Sequence, residues 1–266
     1  MEIRRLGWAG LEISAQGESL VVDHAHDSSP LLQNFWPGQP VAPARIPALA
    51  ALVTHLHEDH TDVPAIEAAV DVDGLLLRPA PAVGTDAENV FTADAETAVA
   101  ASRLRPRVMR EWEVMQIGPF NVTAVPAIDG LGDPQLNWVV EADGQRVLHG
   151  GDTLFHGWWW LIAGRTGPIN VAALPVNGAV VNLPHLQPRS TQAACMGPSD
   201  AVQAAVSLAA GTLVPIHYGV VWPGMYDEDD QPIAHVRQLA ERAGQHVAVL
   251  EPGDTLDVGA AVTTSR

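Results

Sequence analysis

The chain has 266 residues, with fourteen basic side chains, every one an arginine, against 31 acidic ones, for a formal charge of −17. Without lysine there is no Schiff-base catalysis and no Walker-type phosphate loop, and the acidic balance argues against a nucleic-acid surface, whose affinity rests on Lys and Arg neutralising phosphates. A hydrophobic content of 47% with 17% charged residues is that of a globular protein with a large core, and a single cysteine, Cys195, excludes an internal disulfide framework and a Cys-rich zinc cluster.

In chain order, Ile3–Trp8, Leu11–Ala15 and Leu20–Asp23 read as strands, with Gly10 and Gly17 marking turns. A Pro-rich loop, Pro37 to Pro47, follows. Leu49–Thr54 is a continuous apolar run of strand length, as in a strand buried on both faces. Pro64–Val70 has the look of a helix start, Leu75–Leu77 of a short strand, and Ala93–Leu104 of a helix with acidic residues early and Arg103 late, as the helix dipole favours. Strands return at Phe120–Pro126, Leu136–Glu141 and Arg146–His149, the last two joined by a turn at Asp143-Gly144. Asn170–Pro175 is another buried-type strand. The clearest helix is Ser199–Ala210, stopped by Gly211, and strand Thr212–Ile216, helix Ala234–Ala243 and strand Val247–Leu250 complete the order. No fixed-period repeat and no low-complexity linker divides the chain. The pattern predicts one α/β domain over residues 1–266, built on two sheets. The N-terminal stretch lacks a signal-peptide pattern and no apolar run reaches bilayer length, so a cytoplasmic protein without membrane insertion is expected.

The chemistry concentrates in Thr54-His55-Leu56-His57-Glu58-Asp59-His60-Thr61-Asp62, directly after the buried strand. An extended chain points alternate side chains to one side, so His55, His57 and Asp59 converge and a turn brings His60 around. Imidazole and carboxylate together suit zinc, and also manganese or iron.

This array resembles the metal-binding motif of the metallo-β-lactamase fold superfamily. Three further segments match that pattern in order: Leu20-Val21-Val22-Asp23, His149-Gly150-Gly151-Asp152-Thr153 and Val214-Pro215-Ile216-His217-Tyr218-Gly219. The resemblance implies a four-layer αββα sandwich of two mixed β-sheets flanked by helices. It also implies that His55, His57 and Asp129 hold one divalent ion, that Asp59, His60 and His217 hold a second, and that Asp152 bridges them. Asp23 would then orient a ligand histidine from outside the coordination sphere, while Asp59 would orient the nucleophile, a metal-bound hydroxide generated near neutral pH. One position departs from the family pattern: Pro126-Ala127-Ile128 is followed by Asp129, where the family places a His. A carboxylate can replace imidazole on a divalent cation, and it tilts the preference from zinc, otherwise first, towards manganese or iron. The competing reading makes Asp129 only the shaper of the Asp129-Gly130 turn, with a single metal in the site.

Within the superfamily, Gly7-Trp8-Ala9-Gly10-Leu11-Glu12-Ile13, Pro126-Ala127 and Pro215-Ile216-His217-Tyr218-Gly219 resemble the branch of the ascorbate-6-phosphate lactonase and the N-acyl-phosphatidylethanolamine phosphodiesterase. That implies hydrolysis of a small ester, lactone or phosphodiester. The alternatives are a di-iron oxidoreductase of the same fold, which typically carries Glu where this chain has His57, and a non-catalytic metal-binding sensor. Weaker candidates for substrate contact are His156, Trp158 (in the Trp158-Trp159-Trp160 run), His185, Arg189 and Tyr218. His24 and His26 are candidates for the mouth of the site, whereas His149, His235 and His246 read as structural, and Cys195 as packing. The expected partner is a small-molecule substrate, with homo-oligomerisation left open.

Overall fold

Strands β1 (Glu2–Gly7), β2 (Gly10–Ala15) and β3 (Glu18–Val22) form an antiparallel meander, because tight turns at Trp8-Ala9 and Gln16-Gly17 reverse the chain. This computed structural model describes residues 1–26, 41–45, 47–184, 186–220 and 222–259. Residues 37–40 and 46 of the Pro-rich loop lie outside the described residues. After it, β4 (Ala50–Leu52), β5 (Leu75–Arg78) and β6 (Arg105–Val108) add to β3 in parallel, and β16 (Thr255–Asp257) pairs with the opposite edge at β1. Helices α1 (Val63–Ala69) and α2 (Ala93–Ala101) are the crossovers that parallel pairing requires.

The second sheet consists of β7 (Val114–Ile117), β8 (Phe120–Pro126), β9 (Leu136–Ala142), β10 (Gln145–His149), β11 (Val171–Pro175), β13 (Thr212–Ile216) and β15 (His246–Val247). Its order is β15-β13-β11-β10-β9-β8-β7: antiparallel from β7 to β10, and parallel from β10 to β15. The parallel half is connected by α3 (Trp159–Thr166), α4 (Pro198–Ser207) and α5 (Pro232–Ala243). A small ribbon, β12 (Val180–Val181) with β14 (Tyr226–Asp227), sits apart from both sheets.

Period-two alternation sorts the side chains into layers. Ile13, Leu20, Val22 and Leu52 of the first sheet meet Phe120, Trp138, Val147 and Ile216 of the second in the central core. The opposite faces carry Val21, Ala51 and Leu76 against Ile66 and Val99 of α1 and α2, and Val139, Leu148 and Ala172 against Trp159, Val202 and Val236 of α3, α4 and α5. The result is the expected αββα sandwich. No helix among the described residues is long and apolar enough to cross a membrane.

Several boundaries differ from expectation for local reasons. The helix read as Ala93–Leu104 ends at Ala101, because the Ser102 hydroxyl donates to the Val99 carbonyl (2.7 Å) and accepts from the Leu104 N–H (3.1 Å). The final strand shrinks from Val247–Leu250 to His246–Val247. Edge strand β6, with sequence Arg-Pro-Arg-Val and every residue exposed, offers no alternation to read. Helix α3 was hidden in the tryptophan run: Trp159 is fully buried, while Trp158 and Trp160 are 43% and 60% exposed.

Candidate metal centre

All the segments that carry ligand-type residues leave the sheets at the same edge. Asp23 follows β3, His55 to His60 follow β4, Asp129 follows β8, Asp152 follows β10 and His217 follows β13. Parallel register fixes this, since Val22 pairs with Leu52 and Pro175 with Ile216. Two glycines make the convergence sterically feasible. A Cβ at Gly151, whose φ is +55°, would collide with Thr54, and one at Gly130 would collide with the Ala194 backbone. His217 (φ +58°), Asp23 (φ +46°) and Trp8 (φ +36°) are held in the left-handed region without being glycine. The His217 N–H donates to the Trp8 carbonyl at 3.1 Å, and that tie helps hold the conformation. Strain of this kind is tolerated where the surroundings over-determine it, typically at functional sites.

His55, His57, Asp129 and Asp152 bring ligand atoms within 4.8 Å of one another, and so do His60, Asp152 and His217; Asp152 belongs to both groups. Asp59 joins a third such group with His55 and His60. His60 Nε2 and His217 Nε2 lie 3.4 and 3.5 Å from Asp59 Oδ2, and His55 Nε2 lies 3.5 Å from Asp152 Oδ1. These separations are long for hydrogen bonds. They match two ligands on one tetrahedral ion with bonds of about 2.1 Å.

The outer atom of each ring is already occupied. His60 Nδ1–H donates to Asp23 Oδ2 (2.8 Å), and that carboxylate also receives the Thr54 N–H and hydroxyl (both 2.7 Å). His55 Nδ1 contacts the Thr54 hydroxyl at 3.0 Å. His217 Nδ1 faces Asn177 Oδ1 at 3.5 Å. His57 is turned the other way, with Nε2–H donating to Asp133 Oδ2 at 2.9 Å, which leaves Nδ1 as its inward atom. Within the cluster, five buried atoms then lack a hydrogen-bond partner: His55 Nε2, His60 Nε2, His217 Nε2, Asp129 Oδ2 and Asp152 Oδ1. Buried polar atoms are normally satisfied, so a convergent set of unpartnered ligand-type atoms fits one or more divalent cations.

Electrostatics agree. Burial and the neighbouring Asp129 charge push the Asp152 carboxyl up to about 7. Burial opposes protonation of His57, but Asp133, Asp129 and Asp152 outweigh it and push its pKa up to about 9. Burial holds His217 down at about 4 and, with the neighbouring His60, lowers His55. Burial acts against charge on His60 and Asp59, yet each holds the other ionised, with the His60 value raised and that of Asp59 lowered. Trp8 Nε1–H donates to Asp59 Oδ2 at 3.0 Å and anchors that carboxylate.

Asp129 has the contacts of a turn residue and also a free oxygen placed beside the cluster. Its Oδ1 accepts the Leu131 and Asp133 N–H groups (2.6 and 3.2 Å) and so shapes the turn, while its Oδ2 stays unpartnered beside His55, His57 and Asp152.

Beside the cluster lies a cavity of about 220 Å³ whose walls include Phe91, Leu131, Leu183, Cys195 and Tyr226. The weaker candidates sit elsewhere. His156 stacks on Trp159 (centroids 4.0 Å apart), and Trp158 projects from the start of α3; neither lines the cavity. Arg189 pairs with Asp227 at 2.7 Å. The Tyr218 hydroxyl accepts from Arg5 at 2.6 Å, under the guanidinium that covers its ring. His185 lies outside the described residues. His24 and His26 line a different cavity against Pro64, Ala65 and Ala69, because the chain turns outward after Asp23. The tyrosine at the centre is Tyr226, whose hydroxyl accepts from Asn177 Nδ2 at 2.9 Å.

Asp133, Asn177 and Tyr226 escaped the sequence reading. Asp133 follows Asp129 within one polar loop, a weak signal; the other two carry none. Cys195 is buried and donates to Asn177 Oδ1 at 2.7 Å, in keeping with a packing role.

The family model described as "Beta-lactamase superfamily domain" matches residues 20–218, a span that holds every proposed ligand and Asp23. A UPF0173 metal-dependent hydrolase of Opitutus terrae is 31% identical over 82% of this chain and 86% of its own length. One from Thermococcus kodakarensis is 26% identical over 86% and 91%. Among solved structures, Igni18, a metallo hydrolase from Ignicoccus hospitalis, superposes with a TM-score of 0.64 at 18% identity, over 96% of this chain and 97% of that one; it supports the fold alone. With this site and these relatives, the chain belongs to the metallo-β-lactamase fold superfamily and, within it, to the UPF0173 metal-dependent hydrolase family.

Proposed function

We propose that the protein hydrolyses a small ester, lactone or phosphodiester with two divalent cations, zinc first and manganese or iron as alternatives. What carries the reading is the set of five unpartnered buried donor atoms gathered around Asp152. In this reading His55, His57 and Asp129 would hold one ion and Asp59, His60 and His217 the other, with Asp152 a ligand available to both. The chemistry such ions supply is the acidification of water to a nucleophile near neutral pH.

The chain's own residues provide the rest. Asp23, Asp133 and Asn177 fix the ring orientations of His60, His57 and His217, so that the inward nitrogens are the atoms that would meet an ion, which would displace any proton they carry. Asp59, anchored by Trp8, presents a fixed carboxylate where the attacking group must be oriented. The adjacent cavity receives the substrate. Asp152→Ala tests the reading: the variant should fold, lose metal and lose turnover of p-nitrophenyl esters and lactones. Full turnover with unchanged metal content would overturn it.

A further inference from the structure

The cavity beside the cluster has a one-sided lining. Val90, Phe91, Leu131, Val181, Leu183 and Val220 form apolar walls, and beside His57 and His217 the ionisable groups facing it include the carboxylates of Glu58, Asp59 and Asp152. Among the described residues no arginine lines it, and the chain has no lysine. Arg189, the cation nearest in sequence to the Val181–Leu183 wall, is already paired with Asp227. Residues 27–40 include neither Lys nor Arg, and the one arginine beyond the described residues is Arg266.

Sites that accept phosphate esters supply Arg, Lys, a helix N-terminus or metal ions for the charge. Here the metal cluster would have to do it alone, and Asp129 weakens that option. Two divalent ions bring four positive charges, and Asp59, Asp129 and Asp152 cancel three. The His that the family pattern has in place of Asp129 would leave one more. A cavity of about 220 Å³ is larger than the roughly 150 Å³ that accommodates benzene, so the walls fit an apolar group of that size with a few atoms to spare.

We propose, on the basis of the hydrolase reading, that the substrate is a small uncharged ester or lactone with an apolar acyl group, and that phosphorylated compounds are excluded. The apolar walls seat the acyl chain, the carbonyl faces the cluster, and with no arginine or lysine among the described lining residues a phosphate finds no side-chain partner there.

The test measures binding, so it does not depend on turnover. Protein with measured metal content is titrated calorimetrically with neutral n-alkyl hydroxamates, from acetohydroxamate to hexanohydroxamate, and with hexyl phosphate. Affinity should rise about fourfold per added methylene, and hexyl phosphate should bind at least tenfold more weakly than hexanohydroxamate. Leu183→Arg and, separately, Leu131→Arg should improve hexyl phosphate binding at least tenfold and flatten the hydroxamate trend. Both side chains are only partly buried, so the variants keep the fold. A flat chain-length series, or hexyl phosphate bound as tightly as hexanohydroxamate by the unmodified protein, overturns the proposal. If that happens while Asp152→Ala still abolishes ester turnover, the substrate class falls and the hydrolase stands. If the protein holds no metal, both fall together.

Discussion

Asp133 gives the sharpest perturbation, because it touches a single ring. Its carboxylate receives His57 Nε2–H at 2.9 Å and contacts none of the other clustered histidines. Replacing it by alanine removes the partner that fixes the His57 tautomer, and losses of this kind cost about 10–100-fold in metal affinity. Asparagine keeps an acceptor but loses the charge, which is worth about 1 kcal/mol, or roughly fivefold. Asp23 is the counterpart on the other side, receiving His60 Nδ1–H at 2.8 Å. Chelator-competition titration of stripped protein resolves two binding steps. Asp133→Ala should weaken one step and spare the other, and Asp23→Asn should do the reverse. Equal affinities in Asp133→Ala and the unmodified protein, or a uniform loss in both steps, would refute the assignment of the two histidines to different ions.

Stripped of metal, the protein should lose stability as pH rises from 6.5 to 9. His57, raised from 6.5 to about 9, sets this window and the raised His60 acts in the same direction, whereas Asp152, raised from 3.8 to about 7, gives up most of its share below pH 6.5. A raised folded-state pKa contributes stability that is complete below the unfolded value and vanishes as pH climbs through the folded one. The expected loss is about 3 kcal/mol, or roughly 10 °C in Tm, and the metal-loaded protein should show no such slope. A flat Tm in the stripped protein would count against the clustered charges. Asp129→His should raise zinc occupancy relative to manganese in equimolar competition; unchanged selectivity would mean Asp129 Oδ2 meets no ion. Leu52→Ala, in the core between the sheets, should cost about 2–5 kcal/mol by urea denaturation, and a loss below about 1 kcal/mol would mean the layers pack differently.

The segments that converge on the candidate site were legible because their chemistry is local. His55 to His60 share one short segment after one buried strand, and Asp152 and His217 each follow a strand whose apolar run is plain. The support groups were less legible, since what identifies them is contact in space. Asn177 meets His217 only because β11 lies beside β13, and Tyr226 reaches Asn177 from a ribbon two residues wide. Aromatic and basic residues near the motifs find partners away from them for the same reason. Tyr218 adjoins His217 in sequence, yet its hydroxyl turns to Arg5, and Arg189 finds Asp227 on the ribbon. Strands β6 and β7 lie at sheet edges, where fewer neighbours impose alternation, so their pattern was faint.

Anomalous diffraction from crystals of the metal-loaded protein addresses the central claim most directly. Two peaks about 3.5–4 Å apart, with Asp152 between them, His55, His57 and Asp129 around one and Asp59, His60 and His217 around the other, is the predicted result. A single peak away from Asp152, or none at full occupancy elsewhere in the crystal, would contradict it.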